Sequence, residues 1–350
     1  MIILCLLLLF TSYLSWKYIE KPFRNRNIFK QKVIFKLSIF GVIFYICIGI
    51  FSHIFSNELE KYWVSLKSDD YKKIYSLVNK GPIANNYGAL KDGSIDGQQH
   101  ISECIFNARR LEKTEQLNIL KCYKKYGRGV LILGDSHAID LFGVVASQRK
   151  NNFIVGITRG ACRPSSNKRP CHFEDVLEFL EKYQNKFKLV IYEQAGLDFL
   201  QQKDGKQVSR KTFLKLKETE AVENIIIKKE GVKKTVDFLN VIAKNVNVKW
   251  FLPRASPHLK LRDILTLGCR YNFTYRENQY ETFIEIDNYI KSYLSQNFLN
   301  SIIPISQNDI FLFKFPEDYL SCDEVYWSDG DHFSAEGEKY FGKKLPDNFL

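Results

Sequence analysis

The sequence predicts an α/β fold of three layers, in which helices cover both faces of a mostly parallel sheet. Short apolar runs that are typical of buried parallel strands recur from about residue 128. Segments with one apolar face at helical spacing lie between these runs. Strands that alternate with helices in this way predict a parallel sheet with helices on both sides.

The predicted strands are the apolar runs 130–133, 153–157, 189–192, 248–252 and 310–313. The apolar faces of two intervening helices consist of Val176, Leu180 and Tyr183 in the first, and of Val232, Val236, Leu239 and Ile242 in the second. Ligands of such sheets bind at the carboxyl ends of the strands, so a functional site is expected at that edge.

Two apolar segments precede this region and are predicted to be membrane helices. Residues 1–16 form a short or truncated span, since crossing a bilayer takes ~20 apolar residues, and residues 33–56 form a full one. A signal peptide is the alternative for the first segment, but no basic residue precedes it and no small-residue cleavage site follows it. A buried core hairpin is a further alternative.

The segment between the two spans is strongly basic. Residues 17–36 hold seven basic residues and one acid, which is +6 of the chain's net charge of +12. The positive-inside rule places this loop in the cytoplasm, and residues from about 57 onward on the other side of the cytoplasmic (inner) membrane. The remaining basic residues are interspersed with acids and form no nucleic-acid motif, so no nucleic-acid partner is predicted.

Six of the eight cysteines lie in the predicted extracytoplasmic part, and an even number in an oxidising compartment indicates three disulfides. Pairing of nearest neighbours, one of the fifteen connectivities, gives Cys104–Cys122, Cys162–Cys171 and Cys269–Cys322. Cys5 and Cys47, in the apolar segments, are expected to be free. A zinc site is the alternative, but no Cys-x-x-Cys or clustered Cys/His spacing supports it, so no metal is predicted.

The stretch Gly134-Asp135-Ser136-His137 follows the first predicted strand directly. Gly134 permits a tight turn, which would place Ser136 at the start of the next helix. Backbone N–H groups and the helix dipole favour negative charge there, so they could stabilise an oxyanion. The alternative is that Ser136 only caps the helix.

A second stretch, Asp329-Gly330-Asp331-His332, lies just before a predicted terminal helix. Residues three apart can meet on one side of a turn, so Asp329 can accept a hydrogen bond from one ring nitrogen of His332. The other ring nitrogen would then face Ser136 as the general base of a triad. Asp331 is the competing orienter, and a solvated acidic turn is the alternative for the whole motif.

These motifs resemble a known family. Gly-Asp-Ser-His-Ala after an apolar strand, with Asp-x-x-His near the C-terminus, resembles the SGNH/GDSL hydrolase-like superfamily, which implies a flavodoxin-like SGNH domain. The form Asp-x-x-His-x-Ser, residues 329–334, is similar to the subgroup fused to membrane acyltransferases of family 3. Residues 18–24, Tyr-Ile-Glu-Lys-Pro-Phe-Arg, independently resemble the cytoplasmic segment after the last helix of that acyltransferase domain.

The resemblance implies a domain order. Residues 1–16 would be the last helix of the acyltransferase membrane domain, 17–32 a cytoplasmic segment and 33–56 a further span. Residues 57–126 are interpreted as a connector that packs on the catalytic domain, and 127–350 as the SGNH domain.

The resemblance also implies oxyanion donors: the N–H of Ser136, a glycine after the second strand and an asparagine after the third. Gly160 matches the glycine, with an ordinary loop glycine as the alternative. The asparagine is absent, and Gln194 is its candidate substitute. Trp250 and the loop 253–258 could line an acceptor pocket or could simply be packed. His258 and His137 are expected to be structural rather than catalytic.

The implied activity is O-acyl transfer to an extracytoplasmic glycan. A family-3 membrane domain, in cis or in trans, would pass an acyl group, usually acetyl, across the membrane to Ser136. The acyl donor, such as acetyl-CoA, would serve that membrane domain, so the SGNH domain itself needs no cofactor. An esterase that deacylates such glycans and a non-catalytic accessory domain are alternatives. An α/β-hydrolase elbow is disfavoured because residue 138 is alanine.

Overall fold

The computed structural model describes residues 10–21, 31–79, 99–148, 151–164, 171, 173–183, 185–208, 221–257, 272, 274–321, 323–328 and 330–350. The chain divides into two units, Met1–Lys67 and Ser68–Leu350.

The described residues of the first unit are mainly helical. Residues 10–15 form a helix that continues as a π-helical turn, Trp16–Glu20, and two further helices follow, α1 (Gln31–Ile54) and α2 (Ser56–Ser65). Among the described residues, Lys32–Ile54 is the one helix that is long and apolar enough to cross a membrane, and none of its most apolar stretch is buried. This helix is compatible with the span predicted at 33–56. Most of the predicted first span, residues 1–9, lies outside the described residues.

The second unit is built on a mostly parallel sheet. The described strands are β1 (Gln99–Ser102), β2 (Ile105–Ala108), β3 (Gly129–Gly134), β4 (Ile154–Thr158), β5 (Phe187–Glu193), β6 (Leu200–Gln202), β7 (Ile225–Ile227), β8 (Val248–Leu252) and β9 (Ile302–Ser306). Seven of them form one sheet with the order β1-β2-β4-β3-β5-β8-β9, in which every neighbouring pair is parallel except β1 and β2. A separate antiparallel pair consists of β6 and β7.

Helices pack on both faces of the sheet. They are α3 (Asp69–Asn79), α4 (Lys113–Tyr126), α5 (Ser136–Ser147), α6 (Phe173–Lys182), α7 (Lys229–Ala243), α8 (Gln279–Gln296), α9 (Gln307–Phe311) and α10 (Ala335–Gly342), with a 3-10 turn at Gly196–Phe199. Alternate residues of β3 enter different cores: Leu131 packs with α4, α6, α7 and α8, whereas Ile132 packs with α3, α5, α9 and α10. The three-layer α/β fold with a mostly parallel sheet is therefore confirmed.

Four of the five predicted strands are present as β3, β4, β5 and β8. The fifth prediction, a strand at 310–313, is wrong, because this stretch begins inside α9. The Ser306 side chain caps that helix by accepting a hydrogen bond from Asp309 N at 3.2 Å. The parallel strand at this end is Ile302–Ser306, at the sheet edge, where Pro304 is tolerated although it lacks an N–H.

The segment interpreted as a connector contributes to the sheet. It contains β1 and β2, and β2 is buried and pairs in parallel with β4. Its apolar run, Ile105-Phe106, is too short to stand out among the polar residues around it. The two predicted helices are present as α6 and α7. α7 buries all of its predicted face, and α6 buries Val176 and Leu180, whereas Tyr183 lies just after α6 and is half-buried.

Candidate active site

The turn from β3 into α5 requires a glycine. Gly134 has φ +143°, and a Cβ there would lie 1.7 Å from the carbonyl oxygen of Glu193. Ser136 then begins α5, as predicted. Asp135 is the residue that caps this helix, because its Oδ1 accepts a hydrogen bond from His137 N at 2.9 Å. The interpretation of Ser136 as only a cap is therefore wrong.

The serine and the predicted base meet across 196 residues of sequence. His332 Nε2 lies 3.0 Å from Ser136 Oγ, which is hydrogen-bonding distance. The His332 side chain is buried and lies on the loop before α10. In this arrangement the imidazole can take the serine proton.

The acid of the predicted triad, Asp329, lies outside the described residues, so its role stays a prediction. The competing orienter, Asp331, places Oδ2 3.4 Å from Nε2 of His137, which is itself buried. The rings of His137 and His332 are 5.2 Å apart and nearly perpendicular. His137 thus packs against the base and contacts the loop that carries it, which agrees with the structural role expected for it.

The side chains of His137, Asp331 and His332 could also hold a metal ion, since their ligand atoms lie within 4.8 Å of one another. Within the part of the chain that the structure describes, no other set of three His, Cys, Asp or Glu side chains is placed to hold a metal ion. A metal bound through His332 Nε2 would block the base, because that nitrogen faces Ser136.

A buried ion network holds the loop of His332 on both sides. Arg254, only 1% exposed, donates from Nη2 to the carbonyl oxygen of Asp331 at 3.0 Å and forms an ion pair with Asp140. Asp140 Oδ2 in turn accepts a hydrogen bond from Phe333 N at 3.1 Å. Asp140 lies one helical turn after Ser136 on α5, so the nucleophile and the loop of the base share one support.

The same arginine also binds Glu193, the last residue of β5. Its Nη1 lies 3.0 Å from Glu193 Oε1, which also accepts from Gln307 Nε2 at 2.6 Å. Burial raises the pKa of Glu193 well above its usual range and also raises the pKa of Asp140, although the charge of Arg254 opposes both shifts. Burial disfavours the charged forms of Glu193 and Asp140, and the guanidinium of Arg254 is the main group that stabilises those charged forms.

Asp135 connects the turn before α5 to the loops after β4 and β5, at the carboxyl ends of the strands. Its Oδ2 accepts hydrogen bonds from Ala195 N at 3.0 Å and from Arg163 Nε at 2.7 Å, and Arg163 also pairs with Asp198. Burial raises the pKa of Asp135, but the charge of Arg163, the neighbouring His137 and these hydrogen bonds outweigh burial, so its pKa lies below the usual value. The turn of Ser136 is thus fixed to the loops after β4 and β5.

Gly160 follows β4 at the same edge. The N–H of the preceding residue, Arg159, donates to Gly134 O at 3.2 Å, so this loop lies beside the turn of Ser136. A Cβ at Gly160 would meet nothing within 4 Å, which means that open space borders it. The position is compatible with the oxyanion role predicted for Gly160, and that role stays a prediction.

Gln194 lies directly after β5 and is fully buried. Its Oε1 accepts hydrogen bonds from the hydroxyl groups of Tyr192 and of Thr235 on α7. These contacts orient its oxygen towards the helix layer of α7, and its role as an oxyanion donor stays a prediction.

Two of the three predicted disulfides are present: Cys104–Cys122, with Cα atoms 5.5 Å apart, and Cys162–Cys171, with Cα atoms 5.3 Å apart. The first joins the start of β2 to α4, and the second closes the loop after β4. Cys269 and Cys322 lie outside the described residues. Among the described cysteines, Cys47 is a free and exposed thiol.

The residues that sequence reasoning missed are Asp140, Glu193 and Arg254. Asp140 offered a signal, because it lies four residues after Ser136 on the same helix. Arg254 belongs to the loop 253–258, and the structure shows residues 253–257 packed, since Arg254, Ala255 and Ser256 are buried. Trp250 is also fully buried, so it is a core residue and does not line an acceptor pocket; His258 lies outside the described residues.

Comparison with known proteins gives one family. A family model described as the SGNH domain, fused to AT3 domains, matches residues 103–347. No curated protein matches the chain. Among solved structures, a member of the lipolytic protein G-D-S-L family from Veillonella parvula DSM 2008 aligns with 10% sequence identity and a TM-score of 0.35, covering 63% of this chain and 98% of that one.

Proposed function

Because the chain belongs to the family of SGNH domains that are fused to AT3 domains, we propose that it is an O-acyltransferase that transfers an acyl group, most often acetyl, to a hydroxyl of an extracytoplasmic glycan. The observation that carries the proposal is the 3.0 Å contact between His332 Nε2 and Ser136 Oγ. A buried imidazole at that distance activates a hydroxyl for attack on a carbonyl.

In the first half of the reaction, Ser136 Oγ attacks the carbonyl carbon of the donor and His332 takes the serine proton. The negative charge on the tetrahedral intermediate is held by backbone N–H groups, those of Ser136 and Gly160. When the bond to the donor breaks, His332 returns the proton to the leaving oxygen or sulfur. The acyl group then remains as an ester on Ser136.

In the second half, a glycan hydroxyl attacks the acyl-serine and gives its proton to His332. Collapse of the second intermediate releases the acylated sugar, and His332 returns the proton to Ser136. Asp329 orients the imidazole and stabilises its charged form. Arg254 and Asp140 act through the backbone of the loop, since they hold the residues on either side of His332.

The apolar helix of the first unit supports a membrane location. Lys32–Ile54 would anchor the chain, with the basic segment 17–32 in the cytoplasm and the SGNH domain on the opposite side. The disulfides Cys104–Cys122 and Cys162–Cys171 support an oxidising compartment. The acyl group would come from an AT3 membrane domain in cis or in trans, which uses a donor such as acetyl-CoA.

The experiment uses the full chain in detergent with p-nitrophenyl acetate as the donor. We expect ester hydrolysis that falls at least about 10³-fold in Ser136→Ala, and acetylated sugar, detected by mass spectrometry, when an acceptor oligosaccharide is added. Deacetylation of acylated glycan without transfer would favour the esterase alternative. Hydrolysis that survives in Ser136→Ala would contradict the assigned nucleophile.

A further inference from the structure

A charged cleft opens at the same edge of the sheet as Ser136. Its volume is about 320 Å³, and all of its lining residues are ionisable: Arg109, Arg110, Glu112, Glu115 and Arg159. Three arginines and two glutamates give the lining a net charge of +1 (3 − 2). The proposed transfer reaction makes no use of these side chains.

The cleft is built by neighbouring strands. Arg109 and Arg110 directly follow β2, and Arg159 directly follows β4, its parallel neighbour. Because β4 also pairs with β3, the ends of β2 and β3 are two strand spacings apart, roughly 10 Å. Arg159 N donates to Gly134 O, two residues before Ser136. The cleft therefore lies beside the turn that carries Ser136.

The two carboxylates of the cleft are engaged by the protein itself. Glu112 and Glu115 form a capping box at the start of α4, in which Glu115 Oε2 accepts from Glu112 N at 3.1 Å. Glu112 also forms an ion pair with Arg110. A guanidinium has five N–H donors in a planar fork that matches carboxylate and phosphate, so Arg109 and Arg159 can bind a ligand in addition to a protein partner.

We infer that this cleft binds an anionic group, a carboxylate or a phosphate, that the acceptor glycan carries close to the hydroxyl being acylated. The inference rests on the proposed function and deepens it, because it assigns the acceptor to the acidic glycans. Arg109 and Arg159 provide the bidentate contacts. Arg110 lies at the more exposed rim, where Glu112 pairs with it.

The test measures equilibrium binding to the full chain in detergent at low salt. The probes are a galacturonic acid trisaccharide, its carboxyl-reduced neutral form and a glycerol phosphate trimer. We expect at least one anionic probe to bind about tenfold more tightly than the neutral trisaccharide, with a preference that shrinks as salt rises. Whether the carboxylate or the phosphate probe binds more tightly identifies the group.

The double variant Arg109→Gln, Arg159→Gln should abolish this preference. The matched control, Lys121→Gln with Lys124→Gln, removes the same charge from exposed positions of α4 and should keep it. Equal affinity of the unaltered chain for the anionic and neutral probes, or no binding of either anionic probe, would overturn the inference, whatever the fold of the variants.

The two proposals fail separately, because binding needs no chemistry. A chain that hydrolyses the ester through Ser136 but shows no preference for an anionic probe refutes the acidic acceptor alone. A chain that prefers the anionic probe but has no Ser136-dependent activity refutes the proposed transferase alone.

Discussion

Replacing Arg254 by methionine removes a cation that two buried carboxyl groups share. The change deletes the contacts with Glu193 Oε1 and Asp331 O, both at 3.0 Å, and the ion pair with Asp140, while it keeps an unbranched side chain in the space. Removing one partner of a buried ion pair costs about 3–5 kcal/mol. We expect a value near the lower limit, because burial already raises the pKa of both carboxyl groups and so helps them to become neutral.

Thermal unfolding gives the first readout. About 3 kcal/mol corresponds to a fall in Tm of roughly 5–6 °C for a domain of this size, because the entropy of unfolding is about 2.1 cal/mol/K per residue. Tryptophan fluorescence can follow it, since Trp250 and Trp327 are fully buried. Arg128→Met is the matched control because Arg128 is exposed, and it should leave Tm within about 2 °C.

The second readout is catalysis at a temperature at which the variant is still folded. Without Arg254, the Asp331 carbonyl loses its anchor, and Asp140 loses the cation that fixes its bond to Phe333 N. A displacement of about 1 Å in the base can cost about 100-fold in rate, so kcat for ester hydrolysis should fall by that order. An Arg254→Met protein with unchanged Tm and unchanged kcat would refute the role assigned to this network.

Three further predictions concern other parts of the molecule. Burial raises the pKa of Asp287 from 3.8 to about 6, so the stability of the folded state should fall as the pH rises through this window. Asp287→Asn should flatten that fall, and a profile of Tm against pH that is the same in the variant and in the unaltered chain would contradict the prediction. Gly134→Ala should destabilise the domain by roughly 2–4 kcal/mol in denaturant unfolding, because the new Cβ meets the Glu193 carbonyl, and a neutral effect would contradict the turn geometry. Asp329→Asn should lower kcat for ester hydrolysis about 10³-fold or more and Asp331→Asn about tenfold, whereas the reverse order would identify Asp331 as the orienter.

The central layer was predictable because its signals are local. The apolar run 130–133, the glycine that follows it and Ser136 together specify a strand, a turn and a helix, and the structure has all three. The stretch 310–313 misled because its apolar residues resemble a strand. Two features decide the structure of this stretch: Ser306 caps α9, and Ile302–Ser306 takes the edge position of the sheet. The edge position depends on how the whole sheet is assembled.

The support of the site was not predictable for a physical reason. Arg254 and Asp140 are 114 residues apart, and nothing in the local pattern of either residue indicates an ion pair. The meeting of Ser136 and His332 was predicted only through the motifs, because composition and periodicity do not bring residues 196 positions apart together.

The most direct test of the account is a search for the acyl-enzyme. The full chain is mixed with p-nitrophenyl acetate, quenched rapidly in acid and digested, and the peptide that contains Ser136 is sequenced by mass spectrometry. The account predicts one acetyl group on Ser136 Oγ, formed much more slowly in His332→Ala and absent from Ser136→Ala. An active enzyme that carries no acetyl group on Ser136, or that forms it equally fast without His332, would contradict the account.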